Sequence, residues 1–484
     1  MSRESLFNDI WRACDIMRRD DGTTGILEYM EQLSWMLFLK AFEAIESRFE
    51  AEAHLYGRHY DRIFQNGFCW SEWTKKDTGE VIDFVNNQLF PYLRELSGTP
   101  EKVIISTIFE EIPYNRMKSP YNFKDVIDII NQIDFNNPED SHIVSMVYED
   151  LLLRMGREGG IAGEFYTPRP IVRFMIKVVN PKIGERVLDP FCGSSGFLVE
   201  SFKRMKESKE LTVEEFEKLQ QETFYGQEKK SLPYLIAMMN CILHELLTPN
   251  ILHKNTLEEN IRNIPDTQRF NVILTNPPFG GKEGGHIQKN FPIQSQATEL
   301  LALQYVMKKL SGGGRCGIVV PEGILFRGDA FAQVKRELLE NYNLHTIVSL
   351  PSGVFANVTS SGQGPKTNLL FFDRTGPTKE IWYYELTPPP GVKYTKASPI
   401  KDEHLTDAYE KWKAKAISEN SWIEPVEDII KRGYDLTAKN PNRIDNFEHR
   451  LPRDLVAGVL AKEQRISEIL KEMQTMLGDK DDNR

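Results

Sequence analysis

From about residue 151 the chain alternates short β-rich apolar runs with helical stretches, a texture that a parallel sheet built from βαβ units satisfies and few other architectures do. The apolar runs are Arg186–Phe191, Thr223–Gln227, Ile251–Asn255, Phe270–Thr275, Gly314–Val320, His345–Leu350 and Asn368–Asp373. Helical stretches fit between most of them, at about 196–208, 231–247, 297–310 and 329–340. Seven strands in this order predict a doubly wound, Rossmann-like α/β domain whose ligand lies beyond the carboxyl ends of the strands.

The flanking regions read differently. Residues 6–19 and 25–55 carry helical periodicity, with Leu27, Met30, Leu33, Met36, Leu37, Ala41 and Ile45 at three- and four-residue steps. Residues 1–150 are therefore expected to form an all-α domain. In it Gly67-Phe-Cys-Trp-Ser-Glu-Trp73 reads as a packed aromatic cluster without chemistry. At the other end, residues 453–477 are expected to form one helix. Its stripe of Val456, Val459, Ile466, Leu470, Met473 and Leu477 is interrupted at Glu463. The expected division is 1–150, 151–445 and 446–484, in keeping with a 484-residue chain.

Charge narrows the partners. The net charge of −10 argues at first against nucleic acid, but residues 1–150 hold 15 Lys and Arg against 27 Asp and Glu, while the rest hold 45 against 43. An acidic N-terminal region is unsuited to phosphates, so any DNA contact belongs to the later part. The five cysteines, Cys14, Cys69, Cys192, Cys241 and Cys316, are scattered and suggest neither a disulfide framework nor a zinc site. No signal-peptide pattern opens the chain, and no apolar run approaches the roughly 20 residues a bilayer needs. The expected compartment is the cytoplasm.

Three constellations at strand ends carry the chemistry. In Val187-Leu-Asp-Pro-Phe-Cys-Gly-Ser-Ser-Gly196 a strand ends in an acid and a glycine-containing turn before a helix. Gly193 and Gly196 let the backbone approach a ligand, and Asp189 can accept hydrogen bonds from a cationic amine. A phosphate cradle is the competing reading, but a P-loop needs a Lys-Ser/Thr pair and a dinucleotide fingerprint needs G-x-G-x-x-G, and neither is present. One βα unit later, Phe224-Tyr-Gly-Gln-Glu228 places a carboxylate where it could accept both hydroxyls of a ribose; alone it would read as a solvated strand-end acid. Asn255 would then face an adenine ring, or serve as a simple turn residue.

The third is Asn271-Val-Ile-Leu-Thr-Asn-Pro-Pro-Phe-Gly280, a buried strand running into Asn276, Pro277, Pro278 and Phe279. An Asn/Asp/Ser-Pro-Pro-aromatic pattern arises by chance in about two in a hundred chains of this size. Two prolines fix the backbone so that the Asn276 side-chain oxygen and the Pro277 carbonyl can point at one spot as paired acceptors. That suits an exocyclic amine of a nucleobase, whose lone pair is delocalised into the ring. Two acceptors on its N–H bonds favour pyramidalisation, and the freed lone pair can attack a methyl in line. Phe279 can stack on the base. The alternative is a proline-rich turn with a core aromatic.

Four segments, Phe165-Tyr-Thr-Pro-Arg-Pro170, Asp189-Pro-Phe-Cys-Gly-Ser-Ser-Gly196, Asn276-Pro-Pro-Phe279 and Lys366-Thr-Asn-Leu-Leu-Phe-Phe372, together resemble the modification subunit of type I restriction-modification systems. Val320-Pro-Glu-Gly-Ile-Leu-Phe326, Leu350-Pro-Ser-Gly-Val-Phe355 and Gly433-Tyr-Asp-Leu436 extend the resemblance over most of the chain. It implies an S-adenosylmethionine-dependent DNA adenine-N6 methyltransferase fold and activity. By motif, Glu164, Phe165, Tyr166, Thr167, Pro168 and Arg169 correspond to the segment closing over the cofactor, Ser194, Ser195 and Gly196 to its loop, and Glu228 to the ribose ligand. Asn276 to Phe279 correspond to the catalytic tetrapeptide. Ser195 stands where relatives often carry Gly or Ala. Read from its own residues, Thr167-Pro168 predicts a capped helix start with its positive end near the ligand.

The target base must leave the stack, because acceptors and methyl donor cannot reach N6 inside a duplex. No metal is expected. The region after the seventh strand shows no obvious target-recognition domain, and the resemblance implies that double-stranded DNA is read by a separate specificity subunit. Two modification subunits would bind it through helices such as the C-terminal one, with a nuclease subunit completing the restriction complex. Other readings remain at this level: a protein-glutamine methyltransferase, a non-catalytic assembly subunit of the same fold, and cytosine-N4 chemistry.

Overall fold

The computed structural model describes residues 3–57, 59–65, 67–136, 148, 166–356, 364–395, 397–437, 440–442, 460, 462–464 and 466–471. The chain divides into two compact units, Met1–Asn440 and Pro441–Arg484. In the second, residues 462–464 and 466–471 are helical, and Leu460, Ile466, Ile469 and Leu470 are exposed. The remaining stripe positions, Val456, Val459, Met473 and Leu477, lie outside the described residues.

Up to Asn131 the regular elements of the described residues are helices. Helices Arg3–Arg18 and Ile26–Leu55 follow the periodic apolar positions, and Met30, Leu33, Met36 and Leu37 are wholly buried. Thr99 and Ser119 each cap a helix whose first residue is proline, accepting from the N–H of Lys102 and of Asn122. The aromatic segment packs as expected: Trp70 and Trp73 are buried edge to face, and Phe68 stacks on Tyr92 at 3.9 Å. Arg48 pairs with Glu245 and Glu111 with His253, tying this layer to the sheet layer behind it.

The strands are β1 (Val187–Asp189), β2 (Phe224–Glu228), β3 (Asn250–His253), β4 (Phe270–Thr275), β5 (Leu310–Pro321), β6 (Asn343–Ser349), β7 (Thr367–Asp373), β8 (Glu380–Glu385) and β9 (Ser421–Pro425). Their order in the sheet is β3-β2-β1-β4-β5-β7-β6-β8-β9. β1 to β5 pair in parallel, and β7 runs antiparallel between β5 and β6. All seven expected strands form. Two more extend the far edge: β8 pairs in parallel with β6 and antiparallel with β9. β4 and β7 are buried on both faces, which is why they read as continuous apolar runs. Strand order reverses between β1 and β4, and a ligand crevice opens outside their carboxyl ends. Among the described residues no helix is long and apolar enough to cross a membrane.

Candidate active site

β1 closes on Asp189, whose side chain is wholly buried. The hydroxyl of Thr275, the last residue of β4, donates to Asp189 Oδ1 at 2.6 Å, and the Phe191 N–H reaches the same oxygen at 3.2 Å. Burial lifts this carboxyl to about 7 against those two hydrogen bonds, and the nearby charge of Glu228 adds to the rise. An acid held this way favours a cation as its next neighbour.

The turn beyond it is built for close approach. Gly193 and Ser195 both take positive φ, 49° and 60°, so Ser195 occupies a conformation that favours glycine and fits its small side chain inside the fold. At Gly196, where the helix Gly196–Glu207 begins, a Cβ would stand 1.8 Å from Arg169 Nη1. A side chain there would push the Arg169 guanidinium from its place across the turn. From behind, Asn240 donates to the Ser194 carbonyl at 2.7 Å.

Glu228, at the end of β2, accepts the Gly193 N–H on one oxygen at 3.1 Å and the Lys230 N–H on the other at 2.9 Å. It thereby joins the β1 turn to its own strand end, and each oxygen keeps capacity for a further donor. Burial pushes its carboxyl above the ordinary range, opposed by those backbone N–H groups. Asn255 follows β3 and caps a short turn, its oxygen accepting from Leu257 N–H at 3.2 Å and its amide donating to Glu258 at 3.3 Å. It reaches the cavity wall with its amide already engaged in the turn.

β4 delivers Asn276. Its Nδ2 donates to Thr167 Oγ1 at 3.0 Å, while its Oδ1 is buried without a partner among the described residues. Pro277 is buried, Pro278 is exposed, and the Phe279 ring meets Phe355 edge to face at 6.2 Å. The helix after Thr167 begins one residue later than the sequence predicts. Pro168 stands at the N-cap of Arg169–Val179, and the Thr167 hydroxyl serves Asn276 instead of the helix.

Two cavities share Asn276 and Phe191. One of about 240 Å³ is bounded by Gly193, Glu228, Asn255, Asn276, Pro278 and Phe279 among others. The other, a pit of about 10 Å³, is bounded by Thr167, Asp189, Ser194 and Gly196. Tyr166 and Arg169 are buried beside them, the guanidinium 5.7 Å from the ring. Glu164 and Phe165 lie outside the described residues. A larger cavity, about 750 Å³, contains none of the motif residues, and at its wall Arg173 pairs with Asp402 and Lys209 with Glu215.

Sequence reasoning passed over several residues. Phe191 and Thr275 sit inside the quoted motifs and could have been taken with them. Asn240 carries no spacing signal, and neither do Glu283 and Thr298, which share a hydrogen bond of 2.9 Å on the wall of the larger of the two shared cavities.

Comparison with known proteins gives consistent matches. The family model described as N-6 DNA Methylase matches residues 139–450, and the one described as HsdM N-terminal domain matches residues 6–130. The type I restriction enzyme EcoEI methylase subunit of Escherichia coli is 37% identical, with 96% of each chain covered. The EcoKI methylase subunit of Escherichia coli K12 is 29% identical over 84% of this chain and 75% of that one. The crystal structure of a modification subunit from Vibrio vulnificus YJ016 superposes with a TM-score of 0.84 at 41% identity, covering 93% of this chain and 99% of that one.

Proposed function

The chain belongs to the N-6 DNA methylase family, among the methylase subunits of type I restriction enzymes, and from that premise we propose how its residues divide the work. It is a DNA adenine-N6 methyltransferase.

S-adenosylmethionine fits the paired cavities on three observations: a carboxylate with spare acceptor capacity at Glu228, a turn at Gly196 where a Cβ would displace the Arg169 guanidinium, and a buried acid at Asp189 raised toward neutrality. Glu228 would hold the ribose hydroxyls, Asp189 the amino group, and Gly193, Ser194, Ser195 and Gly196 the backbone wall. Tyr166, Thr167, Pro168 and Arg169 would close the near side together with Glu164 and Phe165, and Asn255 would border the adenine. Bound there, the cofactor supplies an electrophilic methyl carbon.

The observation that carries the reading is Asn276. Its amide nitrogen is tied to Thr167, and among the described residues its Oδ1, on the wall of both cavities, has no partner. With the Pro277 carbonyl it would accept the N–H bonds of an adenine amine, concentrating the nitrogen lone pair toward the methyl. Phe279 would stack on the extruded base at about 1–3 kcal/mol. Residues 151–445 then serve catalysis and 446–484 partner docking. Two such subunits would join one specificity subunit that reads double-stranded DNA, with a restriction subunit in the full complex.

The test is transfer of labelled methyl from S-adenosylmethionine to unmethylated DNA, with and without the specificity subunit, followed by nucleoside analysis. N6-methyladenine appearing with the partner, lost in Asn276→Ala while cofactor binding persists, and cofactor binding lost in Glu228→Ala, is the expected result. Label in protein, or equal loss of binding and transfer in both variants, overturns this division of roles.

A further inference from the structure

β5 lies beside β4 in the sheet, parallel to it, and ends at Pro321, one strand over from Asn276. The chain then makes the short helix Gly323–Phe326 and turns at Arg327 into the helix Ala330–Asn341. At this turn Phe326 is 56% exposed, and the Arg327 side chain is half exposed.

The turn is anchored from beneath. Lys335 is wholly buried, and its Nζ donates to the carbonyls of Leu325 at 2.5 Å and Arg327 at 3.0 Å. A buried ammonium is costly unless its donors are used, and here they satisfy carbonyls that the short helix leaves open. Arg327 itself lies 4.1 Å over the Phe331 ring, with Nη1 3.8 Å from Glu299 Oε1. That distance is too long for a hydrogen bond, and among the described residues the guanidinium makes none. Glu299 is buried and directly follows Thr298, which lines the 240 Å³ cavity. A planar cation with unused donors among the described residues is thus held beside the Phe331 ring and Glu299, the residue that follows Thr298 of the wall of the cavity that also contains Asn276.

We propose that Arg327 binds a backbone phosphate of the DNA strand that carries the target adenine, and that the exposed Phe326 lies against the adjoining nucleotide. This rests on the DNA-methylating reading of the site.

The experiment uses the methyltransferase reconstituted with its specificity subunit, comparing wild type, Arg327→Ala, Arg327→Lys and Asn276→Ala. For Arg327→Ala the KM for DNA is expected to rise about tenfold. The slope of log affinity against log salt should shrink by about 0.9, the signature of one lost phosphate contact. Cofactor affinity and the single-turnover rate at saturating DNA should stay unchanged, and Arg327→Lys should keep the salt slope. An unchanged slope in Arg327→Ala overturns the proposal, as does loss of subunit assembly, which would assign the turn to the protein partner. Undiminished methylation by Asn276→Ala would instead bring down the reading of the active site.

Discussion

Asn276 and Thr167 stand 109 residues apart in sequence, and the Asn276 amide donates to the Thr167 hydroxyl at 3.0 Å. On the proposed reading, that bond turns the Asn276 oxygen toward the reacting amine. Thr167→Val keeps the shape and removes the acceptor. With about 1 kcal/mol of orienting energy gone, the amide is free to turn its NH₂ toward the base. The expected outcome is a fall in kcat of about fivefold with cofactor affinity unchanged. Rapid-quench methyl transfer together with a cofactor titration measures both. Equal losses in the two would show that Thr167 holds the cofactor rather than the catalytic amide.

Asp189 predicts a pH dependence with a definite sign. Its folded carboxyl sits at about 7, above the ordinary value of 3.8. The stability it contributes is therefore fully present below about pH 4 and is lost as the pH rises through 7, on the order of 4 kcal/mol at about 1.4 kcal/mol per unit. Glu228, also raised by burial, acts in the same direction. Without cofactor, the melting temperature of the wild type should fall between pH 5 and 7.5 relative to Asp189→Asn. A cationic amine bound at Asp189 should reverse this, so cofactor binding at pH 6 should release a proton. Calorimetry in buffers of different ionisation enthalpy reads that proton directly, and parallel melting curves for the two proteins would contradict the assignment.

Much of this was legible in the sequence because βα units are local: each of the seven expected strands is an apolar run punctuated by its own turn. β9 was not, since its partner β8 lies about 36 residues earlier and no tight turn announces the pairing. The helix after Thr167 shows why local chemistry can mislead. Thr99-Pro100 and Ser119-Pro120 cap their helices as the dipeptide predicts, whereas Thr167-Pro168 gives its hydroxyl to Asn276 and lets Pro168 take the cap position. A tertiary partner outcompeted the cap, at the place where the site needs it. Asn255 went the other way, its local cap claiming an amide that the motif order alone would turn toward the ligand.

Glu228→Gln tests the joint between the two strand ends. The carboxylate accepts from Gly193 on one oxygen and Lys230 on the other, and an amide can accept from only one of them while its NH₂ confronts the second N–H. The β1 turn should loosen, and the ribose would lose one acceptor. Cofactor affinity is expected to drop at least tenfold, about 1.4 kcal/mol or more, while methyl transfer from the fully loaded protein keeps most of its rate. A variant with normal affinity would remove Glu228 from the ligand set.

Gly226, in the middle of β2, links packing to the same joint. A Cβ there would stand 3.1 Å from Cys192 Sγ and Ile251 Cγ1 and 3.2 Å from Leu198 Cδ1, closer than these buried groups can comfortably accept. Gly226→Ala should overpack the sheet by roughly 1–3 kcal/mol, seen as a lower urea midpoint. The strain has a direction, because Cys192 immediately precedes Gly193, whose N–H is held by Glu228. Displacing the thiol should therefore weaken cofactor binding as well as stability. Removing the sulfur in the double variant Gly226→Ala/Cys192→Ala should recover part of both. If the single variant loses stability while binding is untouched, the turn is insulated from β2, and the Gly193–Glu228 bond is not what sets its position.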